Sequence, residues 1–540
     1  MSNLTRVFTV EGKSFFSLGG QARNSSGYND GESETAFRAV KLLHGNTLEI
    51  PVYWEQIEPK EGAFDFGSVD ALLASARRYG VKLVLLWFGT WKNGNMEYAP
   101  AWVKTDAERF KRVLSPTGKD VWVLSSHCQA TFEADKTAFS ALCRHLKAND
   151  SAERTVIALQ IENEPGILGS DRDYGPEGQA AFESAVPTEL VARIKDAGKG
   201  RVYDLWQEAG GKESGTWPEV FGWPAGELMS AWSIATYIDR LAEAGKAIHE
   251  IPMYINVWLG EQGWRVAGES YPSGGAVGKT LDIFRWFTPH VDLIAPDIYI
   301  ADAKGYDNIC SIYARDDNPL FVPESAPWGS NAWNMFRAIA DYDAIGYHFF
   351  AVETIVAEDG SVRAGFETLV GSFRSVAAAI PLLIQYQGSG KIHAVVQEEN
   401  AGAQTLDLEG YTGIAQFGAG RMPYAGKDWR HPPKRLPFAD LPEEERGRGL
   451  VFQVSKHEFY LVGGGYRLFL RPKTSPERQL DTSLARDHLL TRLANYVLVD
   501  EGHFDENGEF VVDRRRNGDE TDHGVWVETD VGVVHVVLCD

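Results

Sequence analysis

The sequence predicts a (β/α)8 barrel (TIM barrel) followed by an antiparallel β-sandwich. Eight short strand patterns, most followed by a helical one, occupy roughly the first 375 residues, as in such a barrel enlarged by loop insertions. Several strands, Lys82–Phe88 (KLVLLWF) above all, are apolar throughout, as burial on both faces of a parallel sheet requires. Beyond residues 375–390 the pattern turns to short strands and Gly-rich turns, and 14 of the 16 tryptophans lie before that change.

Taken in order, Ser14–Leu18 is a short apolar run closed by Gly19-Gly20, readable as a strand and its exit turn. Helix-period apolar positions cover Thr35–Leu43 and Val69–Tyr79, on either side of the β-rich Thr47–Tyr53. After the strand at Lys82–Phe88 come helix Thr137–Leu146, strand Thr155–Ile161, helix Gln179–Ile194 and a long helix over Gly226–Ala247. Strand Ile251–Trp258, helix Lys279–Phe287, strands Asp292–Ile298 and Pro319–Val322, helix Ala332–Ala340, strand Ala344–Phe350 and helix Leu369–Leu383 complete the series. A doubly wound open sheet would favour a GxGxxG loop after its first strand, and Gly19–Asn24 lacks that spacing. The domains expected are therefore a barrel over 1–380 and a sandwich over 381–540. Strand patterns in the latter fall at Lys391–Gln397, Gln404–Leu408, Gly449–Val454, Glu458–Val462, Tyr466–Leu470, Tyr496–Asp500, Glu509–Val512 and Val531–Leu538, with Met422–Glu445 as a long loop.

Composition narrows the function. The 540 residues carry 53 basic against 75 acidic side chains, a net charge of −22. That surface repels phosphate backbones, so nucleic acid is not an expected partner. Nor is a membrane, since no window reaches the run of about 18 apolar residues that a span needs. No signal peptide is visible at the N-terminus, and four cysteines without a CxxC pair suit reduced thiols, so a cytoplasmic location is expected. There is no HExxH, zinc quartet or calcium loop, and no GxSxG elbow or Walker loop, so neither metal nor cofactor is expected.

Active groups of a βα barrel stand at the C-terminal ends of its strands. The fourth strand ends in Glu162, Asn163, Glu164, Pro165 and Gly166, and the seventh runs into Glu324. Two carboxylates on different strand tops, amid aromatic residues, are what glycosidic cleavage needs: one ionised beside the anomeric carbon, one holding a proton for the leaving oxygen. Along an extended strand Glu162 and Glu164 point the same way, so periodicity does not separate them. Pocket positions at other strand ends are Gln21, Asn24, Glu55 and Tyr299; Trp87, Trp91, Trp258, Trp328 and Trp333 offer flat faces for sugar C–H bonds.

Asn163-Glu164 and Glu324 resemble the clan A glycoside hydrolases. Within the clan, Tyr53-Trp54-Glu55-Gln56-Ile57-Glu58-Pro59 with Gly62–Phe66, and Gln160–Gly166, are similar to the signatures of family 35, the β-galactosidase family. The likeness spans roughly residues 5–375, and the trailing β-region is similar to an accessory domain of some bacterial members. It implies a retaining exo-β-glycosidase with Glu164 as acid/base and Glu324 as nucleophile. It further implies that Asn163 binds the sugar 2-hydroxyl; Glu162 is the local competitor for the acid role, or else a buried carboxylate behind the site or one that binds sugar. The chain departs from the family at Trp87–Gly94 and Ser325–Trp328, loops that shape the sugar pocket. The expected partner is an oligosaccharide or small glycoside substrate; other clan activities, a non-catalytic sugar-binding barrel and a homo-oligomeric state stay open.

Overall fold

The computed structural model describes residues 8–260, 265–327, 329, 331–398, 401–417, 446–474, 494–522 and 524–539. After an N-terminal hairpin of Phe8–Val10 and Lys13–Phe15, eight parallel strands form one sheet: β1 (Ser17–Gln21), β2 (Thr47–Tyr53), β3 (Lys82–Lys92), β4 (Val156–Asn163), β5 (Met253–Trp258), β6 (Leu293–Ile298), β7 (Glu324–Ser325) and β8 (Gly346–Phe350). Neighbours run β7-β6-β5-β4-β3-β2-β1-β8. A parallel bridge between Val322 and Tyr347 closes the ring, with Val322 N–H on the Gly346 carbonyl at 3.3 Å and His348 N–H on the Val322 carbonyl at 2.8 Å. The predicted barrel is there.

Each strand is followed by a helix: α1 (Asp30–Leu42), α2 (Gly67–Tyr79), α3 (Gln129–Asp150), α4 (Ala225–Ile248), α5 (Leu281–Phe287), α6 (Ala303–Tyr313), α7 (Asn331–Asp341) and α8 (Glu367–Ala378). The strands are buried along almost their whole length, as the apolar runs Leu83–Phe88 and Val156–Leu159 require, and the helices turn Phe37, Leu72, Phe139, Leu241 and Phe373 onto them.

Four local readings are corrected. Gly19-Gly20 is not an exit turn but the middle of β1: a Cβ on Gly19 would stand 1.8 Å from the Thr47 carbonyl oxygen, so glycine serves close approach to β2. The helix expected over Gln179–Ile194 is two helices, Pro176–Glu183 and Thr188–Ala197, with Pro187 between them. That over Leu369–Leu383 is likewise broken, into α8 and Ile380–Tyr386, next to Pro381. Helix α6 was not legible, because Gly305, Asp307 and Asn308 are weak helix formers; Asp302 starts it by accepting the Gly305 N–H at 2.7 Å.

The C-terminal part begins at β9 (Ile392–Val396), shortly after Tyr386. It continues through β10 (Ala403–Leu408), β11 (Tyr411–Phe417), β12 (Arg448–Ser455), β13 (Glu458–Gly464), β14 (Tyr466–Pro472), β15 (Asn495–Phe504), β16 (Phe510–Arg516), β17 (Val525–Val527) and β18 (Val533–Cys539). Two antiparallel sheets, β9-β12-β13-β18-β15-β16 and β10-β11-β14-β17, face each other over a core of Val451, Leu461, Val534, Leu406, Leu468 and Val525. Strands β11 and β17 were missed; β11 alternates buried and half-buried residues but carries Gly413 and Ala415, poor strand formers. The loop expected at Met422–Glu445 lies outside the described residues.

The sandwich is docked on α7 and α8. Arg337 of α7 reaches Asp307 of α6 and Glu398 beyond β9, both at 2.8 Å. Buried Arg448 of β12 donates to Ser372 Oγ at 2.7 Å and to the Thr368 carbonyl at 3.2 Å, both in α8; burial lowers its pKa to about 10. Arg448→Ala opens a cavity and strands both acceptors, so it should cost about 2–4 kcal/mol. Equilibrium denaturation followed by circular dichroism measures this, and a loss below ~0.5 kcal/mol would contradict the docking role.

Candidate active site

The C-terminal ends of β1, β3, β4, β5, β6 and β7 converge on one acidic centre. One oxygen from each of Glu164, Asp297 and Glu324 lies within 4.8 Å of the others, and all three residues are buried. Above them opens a cleft of about 390 Å3, lined by Asn24, Lys92, Glu164, Trp258, Tyr299 and Phe350 among others.

The end of β4 is not extended. Glu162 has φ +61° and Glu164 φ +46°, left-handed values that non-glycine residues rarely take. The two carboxylates therefore do not share a side. Glu164 faces the cleft, and its N–H is fixed by Asn256 Oδ1 of β5 at 2.8 Å, whose Nδ2 donates to Asp297 Oδ2 at 2.8 Å. Glu162 turns away into the wall between β3 and α3, accepting the Trp91 N–H at 2.7 Å, and burial followed by the nearby Asp135 charge pushes its carboxyl well above the usual range.

Electrostatics sort the three acids. Burial first, then the nearby Glu324 charge, push the Glu164 carboxyl up to about 7, while Lys92 acts in the opposite sense. Burial, then the charges of Glu324 and Glu164, drive Asp297 well above the usual carboxylate range, and in its neutral form it donates to Glu164. Glu324 is held by donors on both oxygens: Gln21 Nε2 on Oε2 at 2.9 Å and Tyr299 Oη on Oε1 at 2.5 Å. Burial and the Glu324 charge raise the Tyr299 pKa, keeping that hydroxyl a donor. The three oxygens are close enough to grip a cation, but three of these acids' oxygens already accept fixed donors. The raised proton affinities of Glu164 and Asp297 suit the set to protons rather than to a metal.

Of the residues singled out in the sequence, Glu164 and Tyr299 line the cleft with Asn24, and Gln21 touches Glu324 from beneath. Asn163 is fully buried at the end of β4, with neither Oδ1 nor Nδ2 hydrogen-bonded. Three expectations are corrected. Glu162 is not in the pocket, because the left-handed turn swings it behind β4. Trp87 is no sugar platform: its ring is core, and its Nε1 donates to Asp135 at 2.9 Å. Glu55 does not line the cleft; it pairs with Lys104 at 3.1 Å and accepts from Tyr28. Of the remaining tryptophans Trp258 lines the cleft, Trp91 and Trp333 are core, and Trp328 lies outside the described residues. Asp297, Asn256 and Lys92 went unnoticed. A polar residue inside an apolar strand, as Asn256 in Met253–Trp258, was the available signal.

Residues 28–208 match the family model Glyco_hydro_42, described as beta-galactosidase, and residues 369–528 match a domain of unknown function, DUF5597. The first of these matches lies wholly within the barrel and spans β2 to β4, the stretch that carries Glu162, Asn163 and Glu164. The matching model is that of family 42, and the likeness to family 35 gains no support from it. None of the curated proteins matches this chain.

Solved structures similar to it include a beta-galactosidase from the Antarctic haloarchaeon Halorubrum lacusprofundi, 17% identical, with a TM-score of 0.48 over 67% of this chain and 58% of that one. Another is a beta-galactosidase from Bacillus circulans sp. alkalophilus, 14% identical, TM-score 0.48, over 69% and 57%. A third is the catalytic domain of a beta-amylase from Paenibacillus polymyxa, 15% identical, TM-score 0.47, over 67% and 98%. The match thus spans less than two thirds of the first two proteins. The fold rests on the strand order above, not on these likenesses.

Proposed function

We propose that the protein is a retaining exo-β-glycosidase, β-galactosidase-like, that removes terminal sugars from oligosaccharides by double displacement. The observation that carries this reading is the Glu164–Glu324 pair: one oxygen of each within 4.8 Å, with the Glu164 proton held up to about 7. Retaining enzymes keep their two carboxyl groups about 5–5.5 Å apart, whereas inverting ones leave roughly 6.5–9.5 Å for a water. In the first step Glu324 attacks the anomeric carbon and Glu164 gives its proton to the departing oxygen. In the second, Glu164 takes a proton from water, which displaces Glu324 and restores the starting configuration.

Other residues support the same roles. Tyr299 and Gln21 aim the Glu324 oxygens, and the Asn256–Asp297 chain fixes the Glu164 backbone. The unpaired amide of Asn163 is costly in a buried site, and a sugar hydroxyl would relieve that cost. The narrower placement in family 35 belongs to this proposal, on the strength of the Tyr53–Phe66 and Gln160–Gly166 stretches. So does a cytoplasmic setting, which the four unpaired cysteines support.

A panel of p-nitrophenyl glycosides, with NMR of the first-formed anomer, tests the reading. A β-galactoside should be hydrolysed to β-galactose first; initial α-product, or no turnover of any β-glycoside, would refute it. Since the protonated form of Glu164 is the active one, kcat/KM should fall as pH rises through about 7. Lys92→Met removes a charge that favours Glu164 ionisation, so the alkaline limb should move to higher pH. A limb that stays in place or moves down would show that another group sets it.

A further inference from the structure

Trp223 is 98% exposed; the next large apolar side chain among the described residues, Val497, reaches 60%. Its position is not that of a frayed loop. Gly222 before it has φ +63° and ψ −128°, a conformation that suits glycine, and Pro224 follows. The corner stands between a short helix with Trp217, Val220 and Phe221 buried and the start of α4. It is tied by the Gly222 N–H on the Pro218 carbonyl at 2.9 Å and the Ala225 N–H on the Gly222 carbonyl at 3.3 Å. A flat ring is thus presented to solvent on a rigid mount, which lowers the entropy cost of using it for binding.

Trp223 borders a groove of about 1070 Å3, more than twice the volume of the cleft above Glu164. Its walls mix Tyr174 and Leu205 with charged groups such as Asp171 and Glu208, an aromatic-and-polar surface suited to sugar rings and hydroxyls. Arg265 lines both the groove and the cleft, so the two spaces adjoin at that side chain.

We infer that this groove binds the leaving-group side of an oligosaccharide substrate, with Trp223 as the platform on which a sugar ring beyond the scissile bond stacks. The inference rests on the glycosidase reading above and adds a specificity determinant for chain length. An aryl glycoside has no sugar beyond the scissile bond to stack on the ring, whereas an oligosaccharide has.

The test compares β-1,4-galactotetraose with p-nitrophenyl β-galactoside in the full-length chain. In Trp223→Ala the ratio of their kcat/KM values should fall about tenfold, a usual effect of losing one aromatic anchor, and Trp223→Phe should restore most of it. Calorimetry in a Glu324→Gln background gives a readout free of turnover: Trp223→Ala should weaken tetraose binding about tenfold more than galactose binding. A ratio within twofold of wild type, together with unaltered tetraose binding, overturns the inference. So does that result accompanied by loss of an oligomer in sedimentation, which would make Trp223 a contact between copies. If the wild type cleaves no β-galactoside, the glycosidase reading fails, while Trp223-dependent tetraose binding still decides the groove.

Discussion

Glu324→Gln is expected to lower kcat/KM on an aryl β-glycoside by at least about 10^4-fold, or roughly 5.5 kcal/mol of transition-state stabilisation. The amide is nearly isosteric but has no negative charge to form the bond to the anomeric carbon. Either Gln21 or Tyr299 would then face the Nε2 donor of the new amide where it now meets an acceptor oxygen. Glu324→Ala leaves a space beside the anomeric carbon on the nucleophile's side. Azide entering there should restore turnover and release the α-glycosyl azide, since a single displacement inverts the centre. A melting curve within a few degrees of wild type would show that the site alone is affected. Activity within tenfold of wild type in Glu324→Gln would remove Glu324 from the mechanism.

Glu164→Ala should show a different signature. With a poor leaving group, loss of the proton donor is expected to lower kcat/KM by about 10^2–10^4-fold. With dinitrophenyl glycosides the first step needs little acid assistance, so kcat/KM should change much less. The glycosyl-enzyme on Glu324 then lacks its base and should accumulate, visible as a burst of nitrophenolate and as a mass increase of the protein. Azide attacks that intermediate without needing a base, giving the β-glycosyl azide, opposite in configuration to the Glu324→Ala product. Equal losses for good and poor leaving groups would instead make Glu164 a structural residue. Glu162→Gln offers the contrast: its carboxyl lies behind β4 with Asp135, so leaving-group dependence should stay as in the wild type.

The barrel was legible because a strand buried on both faces is largely apolar, as Lys82–Phe88 is, and because eight such patterns alternate with helical ones. Its punctuation was less so. Gly19-Gly20 looks like a turn until the Thr47 carbonyl is seen pressing on it, a contact made by a residue 28 positions away. The acid pair was legible only through the clan pattern at Asn163-Glu164 and Glu324. Period-two reasoning placed Glu162 beside Glu164 and failed because both residues are left-handed, a torsion no side-chain pattern announces. Trp87 misled for a related reason: an all-apolar strand does not say which of its side chains face the barrel axis and which the helices. Asp297 and Asn256 act through each other and through the Glu164 backbone, so neither stands out alone.

Arg337 and Arg448 give the appended sheets a second meaning. Helix α7 follows directly on the strand bearing Glu324, and α8 on the strand that seals the ring, so the appended sheets grip the two helices behind Glu324. It acts as a buttress. Catalysis and the integrity of the appendage should fail together, and a shortened enzyme built by removing it would need new side chains on the bared flanks of both helices.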